Sequence, residues 1–200
     1  MARTPARRPY HHGDLRQALL REAARAIRTH GPEGLTLRDV GRRLGVSRTA
    51  LYRHFTDKAA LLAAVAREGF QTFSRELEGA ARDAGGGLAG FRAMGGAYVR
   101  FAVANPAHYR IMFGRFRELC TSDAALAADA AAAFQLLIGA LARLQQDGLI
   151  RSDDPEQLAR FIWATVHGVA MLTIDGQLGP DRAAAEALTA FTIERLATSL

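Results

Sequence analysis

Residues 36–58, TLRDVGRRLGVSRTALYRHFTDK, combine arginines, hydroxyl side chains and a tyrosine in a way that suits contact with nucleic acid. Arginine can donate two hydrogen bonds to a guanine edge or to a phosphate, and threonine and tyrosine hydroxyls can bond phosphate oxygens. Leu51 and Phe55 are four residues apart and would face inward on a short helix. The residues left facing outward are Arg48, Thr49, Tyr52 and Arg53. This arrangement is typical of a helix that enters the major groove of DNA.

Two short helices joined by a glycine turn are predicted to hold these side chains in place. Thr36 and Ser47 each suit the N-cap of a helix, and Asp39 follows Thr36 at the spacing of a capping box. Gly45 lies where a helix end prefers a left-handed glycine, and Gly41 lies where the two helices approach closely. The alternative is an ordinary helical hairpin with a solvated basic face. The agreement of caps, turn glycine, apolar spacing and basic face favours DNA binding.

This helix-turn-helix pattern resembles the N-terminal domain of the TetR family of transcriptional regulators. The resemblance covers residues 10–70, about a third of the chain. The residues after the turn that carry it are Tyr52, Phe55, Lys58, Leu61 and Leu62. The resemblance implies an all-helical, dimeric DNA-binding protein that responds to a ligand.

The resemblance also implies how individual side chains contact DNA. Arg38 and residues 48–50 would approach the bases, and a second set would hold phosphates. The predicted phosphate ligands are Thr36, Tyr52, His54 and Lys58, and the full set of predicted DNA contacts is completed by Ser47, Arg48, Thr49, Ala50 and Arg53. Arg48 and Arg53 make the recognition helix unusually basic for its length. The operator sequence therefore does not carry over from the family.

Positive charge is concentrated at the start of the chain. Residues 1–60 contain 13 Arg or Lys against 5 Asp or Glu, a net charge of +8, whereas residues 61–200 have a net charge of −2. Such an asymmetry is the expected footprint of a DNA-binding third of the molecule. Residues 1–9 predict a disordered basic arm, which is either a solvated tail or an additional contact to phosphates or the minor groove.

The sequence as a whole predicts an all-α fold in three parts. We expect a basic arm at residues 1–9, a three-helix DNA-binding domain at residues 10–58, and a helical ligand-binding and dimerisation domain at residues 59–200. Helix breakers divide the last part, which shows no convincing strand pattern. They lie at residues 83–87, 105–106, 148, 153–155 and 179–181.

The last two predicted helices are apolar on more than one side. A surface helix needs only one apolar stripe, so the second side is expected to pack against another molecule. A homodimer through these two helices is the simplest arrangement, and it would present two recognition helices to two half-sites. The apolar residues of the first of these helices are Leu158, Ile162, Val169 and Leu172 on one face and Trp163, Ala170 and Ile174 on another.

The body is also predicted to hold a small hydrophobic effector. Aromatic and methionine side chains supply an apolar lining, although most of them would simply form the core. The candidate apolar ligand contacts are Phe91, Phe101, Met112, Phe113, Phe116, Phe134 and Trp163. The candidate polar anchors are Tyr98, His108, Gln135 and His167. No residue indicates which compound is bound.

Residues 163–168 carry a second resemblance, to the tryptophan–histidine–glycine motif of one C-terminal subgroup of the family. His167 and His108 lack the spacing of metal ligands, so a hydrogen-bonded imidazole beside Trp163 is favoured over a metal site. Cys120 is the only cysteine, which fits a reducing cytoplasm and leaves a sensing thiol as the alternative.

The sequence gives no support for catalysis, a cofactor or membrane binding. It has no phosphate-binding glycine loop, no nucleophile elbow and no metalloprotease helix, and residues 1–9 lack the apolar core of a signal peptide. We therefore expect a cytoplasmic regulator that binds a double-stranded DNA operator, with repression as the commoner outcome in the family. The alternative function is a ligand-independent or architectural DNA-binding protein.

Overall fold

The computed structural model describes residues 12–114, 119, 122–179 and 182–200. These residues form helices and connecting turns with no strand among them, so the predicted all-α fold is confirmed. The helices are α1 (His12–His30), α2 (Leu37–Leu44), α3 (Arg48–Tyr52), α4 (Lys58–Asp83), α5 (Gly87–Ala104), α6 (Pro106–Phe113), α7 (Ala124–Gln146), α8 (Pro155–Ile174) and α9 (Arg182–Ser199). The predicted basic arm, Phe116 and Cys120 lie outside the described residues.

The chain divides into two compact units, with the boundary between Val65 and Ala66 inside α4. We call the first unit the head and the second unit the body. Helix α4 contributes residues to both.

The head is built on an apolar stripe of α1. Leu19 and Ala23 of that stripe are fully buried, together with Val40 of α2 and Leu61 of α4. The helix ends at His30, because Gly31 adopts a left-handed φ of 72° and Pro32 follows it. The apolar residues of α1 therefore supply the core of the head, and Gly31 and Pro32 set the length of its first helix.

The body is a bundle in which α5 packs against α8 and α9, and α7 packs against α8. Its helices begin and end close to the predicted breakers. Asp123 caps α7 by accepting a hydrogen bond from the Leu126 amide at 2.9 Å, and Asp154 caps α8 by accepting from the Glu156 amide at 2.9 Å. Helix α8 ends at Ile174, five residues before the predicted breaker at residues 179–181.

Helix α7 has an unusual composition for a helix of this bundle. It is rich in alanine, has a mean hydropathy of 1.7, and is the one described helix long and apolar enough to cross a membrane by length and composition. Of its larger apolar residues, Leu126, Leu141 and Leu144 are buried within the body, whereas Phe134, Leu136, Leu137 and Ile138 are half-buried. Its smaller residues leave much of the remaining surface of the helix open.

Two glycines of the body provide a matched test of how closely its helices pack. A Cβ atom at Gly90 would lie 2.8 Å from the carbonyl oxygen of Ala81, whereas a Cβ atom at Gly139 would meet nothing within 4 Å. Gly90→Ala should therefore lower the free energy of unfolding by about 1–3 kcal/mol through overpacking. Gly139→Ala should raise it by up to about 1 kcal/mol through helix propensity. Urea denaturation of both variants measures the difference, and equal effects would contradict the predicted close contact.

Candidate DNA-binding surface and ligand cavity

The N-terminus of α2 is fixed by a hydrogen-bonded cap at Thr36. Its hydroxyl accepts a hydrogen bond from the Asp39 amide at 3.1 Å and donates one to the Asp39 carboxylate at 2.7 Å. Arg42 donates to the other oxygen of that carboxylate at 2.7 Å. The Thr36 hydroxyl holds the pKa of Asp39 below its ordinary value, and Arg42, Arg43 and Arg38 add to the effect. The Asp39 carboxylate of this cap therefore also holds the Arg42 side chain in place.

The turn between α2 and α3 depends on two glycines, as the sequence predicted. Gly45 has a left-handed φ of 64°, and its amide donates to the Arg42 carbonyl at 3.1 Å. A Cβ atom at Gly41 would lie 3.4 Å from the Leu51 side chain and 3.7 Å from the Val46 side chain, which is van der Waals contact between the two helices. Little room is left there for a side chain larger than that of alanine.

Helix α3 presents the predicted set of side chains to solvent. Ser47 caps it by accepting from the Ala50 amide at 3.2 Å, and Leu51 and Phe55 are buried beneath it. The exposed residues are Arg48, Thr49, Tyr52 and Arg53, and Arg38 of α2 is also exposed. The Arg48 guanidinium lies 5.4 Å from the centre of the Tyr52 ring, so these two side chains form one surface.

Several of the remaining predicted DNA contacts are partly buried or already hydrogen bonded within the head. Ala50, His54 and Lys58 are half-buried. The Lys58 ammonium donates to the Glu33 carbonyl at 2.8 Å, which ties the start of α4 to the connection between α1 and α2. The hydrogen of the Thr36 hydroxyl is likewise used by Asp39. Both residues therefore have a structural hydrogen bond in addition to the predicted phosphate contact.

A buried acid that positions α2 was not predicted from the sequence. Glu22 of α1 is 8% exposed and forms ion pairs with Arg43 at 3.5 Å and with Arg25 at 3.6 Å. Arg43 also lies 3.4 Å from Nε2 of His30. Glu22 follows Leu19 by three residues and so falls on the buried side of α1. That spacing was the available signal.

The body encloses a cavity of about 500 Å³ lined by residues of α4 to α9. This volume lies in the range of sites for drug-sized ligands. Seven of the predicted ligand contacts line it: Phe91, Tyr98, Met112, Phe113, Phe134, Gln135 and Trp163. The lining also includes small residues of α7 such as Ala127, Ala130 and Ala131. The space exists because alanine cannot fill the gap opposite the aromatic side chains.

Three other predicted ligand contacts lie outside the lining. Phe101 is buried with its ring edge-on to Phe73 at 5.2 Å, and His108 lies against Gly69. His167 is separated from the cavity by Tyr98, to which it is hydrogen bonded. Glu156 and Arg160 do line the cavity and were not predicted. Their spacing of four residues is that of an ordinary surface ion pair, so it gave no signal of a site.

A hydrogen-bonded cluster of four side chains includes two that line the cavity, Tyr98 and Trp163, and we call their side of the cavity the inner wall. The Tyr98 hydroxyl lies 2.9 Å from the Tyr109 hydroxyl and 3.1 Å from Nδ1 of His167, and it accepts from the Trp163 indole at 3.0 Å. The Tyr109 hydroxyl lies 2.6 Å from the same His167 nitrogen. Burial raises the pKa of both tyrosines and lowers the pKa of His167. These shifts favour the neutral forms of all three side chains at neutral pH.

These contacts identify the environment that the sequence predicted for His167, a hydrogen-bonded imidazole beside Trp163, with ring centres 5.8 Å apart. Within the described residues, no group of three or more histidine, cysteine, aspartate or glutamate side chains could hold a metal ion.

Two family models match this chain. Residues 19–65 match the model described as bacterial regulatory proteins, tetR family, and residues 91–196 match the model described as tetracyclin repressor-like, C-terminal domain. The second match alone spans more than half of the chain. The chain belongs to the TetR family of transcriptional regulators. TetR regulators are DNA-binding proteins and not enzymes. The C-terminal model does not specify the tryptophan–histidine–glycine subgroup, which stays a prediction.

Individual relatives agree with this assignment. Among curated proteins, the tetracycline repressor protein class C of Escherichia coli is 49% identical over 51 residues, and the transcriptional repressor AcnR of Corynebacterium diphtheriae is 45% identical over 53 residues. Both matches cover 26% of this chain, and they span only 23% and 28% of the relatives' own lengths.

Among solved structures, a protein of unknown function from Rhodococcus sp. RHA1 is 32% identical with a TM-score of 0.86. That similarity covers 97% of this chain and 99% of the Rhodococcus chain. The likeness to a solved structure thus extends over both units, whereas the two curated relatives match about a quarter of the chain.

The buried histidine gives a prediction on pH. The pKa of His167 is lowered on folding from its ordinary value of 6.5, so below that pH the unfolded chain binds a proton that the folded chain binds less readily. This residue should therefore cost stability as the pH falls through about 6.5, and should cost nothing well above it. His167→Gln should show a smaller loss of unfolding free energy than the wild type between about pH 7 and about pH 5. Parallel curves for the two proteins would contradict this account.

Proposed function

We propose that this chain is a dimeric repressor that leaves its operator when a small hydrophobic effector enters the body. The observation that carries the DNA-binding part is the outward set of Arg48, Thr49, Tyr52 and Arg53 on the capped helix α3. We assign DNA binding to residues 10–58 and effector binding and dimerisation to residues 59–200, and place the protein in the cytoplasm with the DNA that it binds.

The roles of the outward residues follow from their chemistry. Arg48 can donate two hydrogen bonds to a guanine edge, so we assign it to sequence recognition. Tyr52 and Lys58 present a hydroxyl and an ammonium group, so we assign them to the phosphate backbone together with Thr36, Ser47 and His54. The net charge of +8 on residues 1–60 supports the same interaction at longer range.

The proposed dimer uses the solvent-facing sides of α8 and α9. Two residues predicted for the second apolar side of α8, Trp163 and Ala170, pack inside the body instead, so other residues are assigned to the interface. Phe161 of α8 is 56% exposed and Phe191 of α9 is 58% exposed, and Leu172 of α8 is also exposed. The opposite sides of both helices are buried, with Ile162 and Val166 on α8 and Ile193 on α9 among the buried residues. Two large exposed phenylalanines on neighbouring helices are a liability for a monomer and a suitable core for a two-fold interface.

The proposed effector site is the body cavity of about 500 Å³. Its lining is mainly apolar, which supports a hydrophobic compound as the effector. An effector can release DNA only if it binds more tightly to a conformation with low DNA affinity than to the DNA-bound conformation. The alternative, a DNA-binding protein without an effector, would be favoured if no small molecule stabilised the body against heat.

Replacements on the DNA-binding surface should separate the two roles assigned above. Tyr52→Ala combined with Lys58→Ala should weaken binding to operator and non-operator duplexes alike, and should reduce the salt slope by about 1 for each phosphate that is no longer neutralised. Arg48→Ala should instead reduce the preference for operator by about 1–3 kcal/mol. Fluorescence anisotropy on an operator duplex and on a scrambled duplex, at several salt concentrations, measures both effects.

The matched control is Arg82→Ala, which removes an exposed arginine of the body. It should leave both affinities unchanged. Circular dichroism of each variant should first establish that the head is folded, since Lys58 also bonds the Glu33 carbonyl. Unchanged operator affinity in the folded head variants would contradict the proposed DNA-binding surface.

A further inference from the structure

We propose that the body cavity binds an amphipathic monoanion, with its apolar part against the inner aromatic wall and its anionic head at Arg160. The inference rests on the proposed effector function and adds the chemical class of the ligand and its orientation. It follows from the uneven distribution of hydrogen-bonding groups around the cavity.

Among the described residues, the side chains of the inner wall already use their hydrogen-bonding groups on one another. The Tyr98 hydroxyl and the Trp163 indole line the cavity, but the indole donates to that hydroxyl, which is itself surrounded by Tyr109 and His167. Within the part of the chain that the structure describes, no buried side-chain nitrogen or oxygen lacks a hydrogen-bond partner. A polar ligand group placed here would be desolvated without gaining a partner, whereas a hydrocarbon or aromatic group would lose nothing.

Within the described ranges, the other polar residues of the lining lie on α7 and α8, and they are Gln135, Glu156 and Arg160. The side chains of Arg160 and Glu156 are 57% and 56% exposed. A charged ligand head can therefore bind there while it keeps part of its hydration, which avoids the cost of burying an unpaired charge. The polar head of a ligand is expected at this edge of the cavity.

The Arg160 guanidinium is held ready for an anion. It lies 5.7 Å from the centre of the Phe134 ring, and Phe134 in turn packs edge-on against Trp163 at 5.8 Å. One of its N–H groups donates to Glu156. A guanidinium has five N–H donors in a fixed plane, so most of them remain for a carboxylate or a similar anion.

Glu156 has the opposite effect on ligand charge. Its carboxylate already accepts from Arg160, and it would repel an anionic head that approached the same guanidinium. Removing this charge while keeping the shape of the side chain should therefore strengthen binding of an anion. Loss of the Arg160 charge should therefore weaken anion binding, and loss of the Glu156 charge should strengthen it. These opposite effects distinguish a specific site at Arg160 from non-specific hydrophobic binding in the cavity.

Isothermal titration calorimetry of the full chain with decanoate, decanol and decylamine tests the proposal, because the three probes share one hydrocarbon chain and differ in head group. Decanoate should bind most tightly. Arg160→Gln should weaken decanoate binding about tenfold, the loss expected for a charge-assisted hydrogen bond, and should leave decanol binding nearly unchanged. Glu156→Gln should strengthen decanoate binding. Arg143→Gln, which removes an exposed arginine of α7 outside the cavity lining, is the matched control and should bind decanoate like the wild type.

The proposal is wrong if decanol or decylamine binds as tightly as decanoate, if none of the three binds, or if Arg160→Gln retains wild-type affinity for decanoate. Thermal unfolding of each variant beforehand shows that it is folded.

Release of operator DNA is measured separately by anisotropy. Decanoate that binds at Arg160 without releasing DNA would support the ligand class and contradict the effector role. If decanol releases DNA at the same concentration as decanoate, the effector role is supported and the anionic ligand class is contradicted.

Discussion

The left-handed turn at Gly45 is the constraint on which the DNA-binding surface depends. It joins two helices that are each fixed at their N-terminus, by Thr36 and by Ser47, and it brings Leu51 against Gly41. Helix α3 has only five residues, and each residue of a helix turns the next by about 100°. A shift of one residue in the turn would therefore bring Leu51 to the surface and bury part of the basic set. The identity of the exposed side chains thus follows from the backbone geometry of a single glycine.

Polar groups occur at two places around the cavity of the body: in a buried cluster whose members bond one another, and in the exposed ion pair of Glu156 and Arg160. Tyr98, Tyr109, Trp163 and His167 form a closed neutral cluster. Beside it, the alanines of α7 leave space that larger residues would have filled. The same alanines make α7 resemble a membrane-spanning helix by composition, and three of its leucines, Leu126, Leu141 and Leu144, are buried inside the body. The cavity and the unusual composition of α7 therefore have one cause.

Local features of the structure could be predicted from the sequence, and features that depend on distant packing could not. The caps at Thr36 and Ser47, the turn at Gly45 and most helix ends require only a few neighbouring residues, and each was predicted. The choice among aromatic residues was not local, since Phe101 and Tyr98 lie on the same helix yet only Tyr98 reaches the cavity. Arg160 was missed because its spacing of four residues from Glu156 is the same in an ordinary surface ion pair as in a binding site. Glu22 was missed because a charged residue beside an apolar stripe is usually exposed, and its sequence spacing does not show that it is buried.

The central claim is that two copies of the chain present two α3 helices to DNA, and selection of bound duplexes from a random pool tests it most directly. The account predicts an enriched sequence with two-fold symmetry, in which two identical half-sites lie a helical turn or a multiple of it apart, roughly 10 base pairs or more from centre to centre. The same selection with Arg48→Ala should keep the symmetry and lose information at one position of each half-site. Enrichment of a single asymmetric site, or no enrichment above the starting pool, would contradict the account.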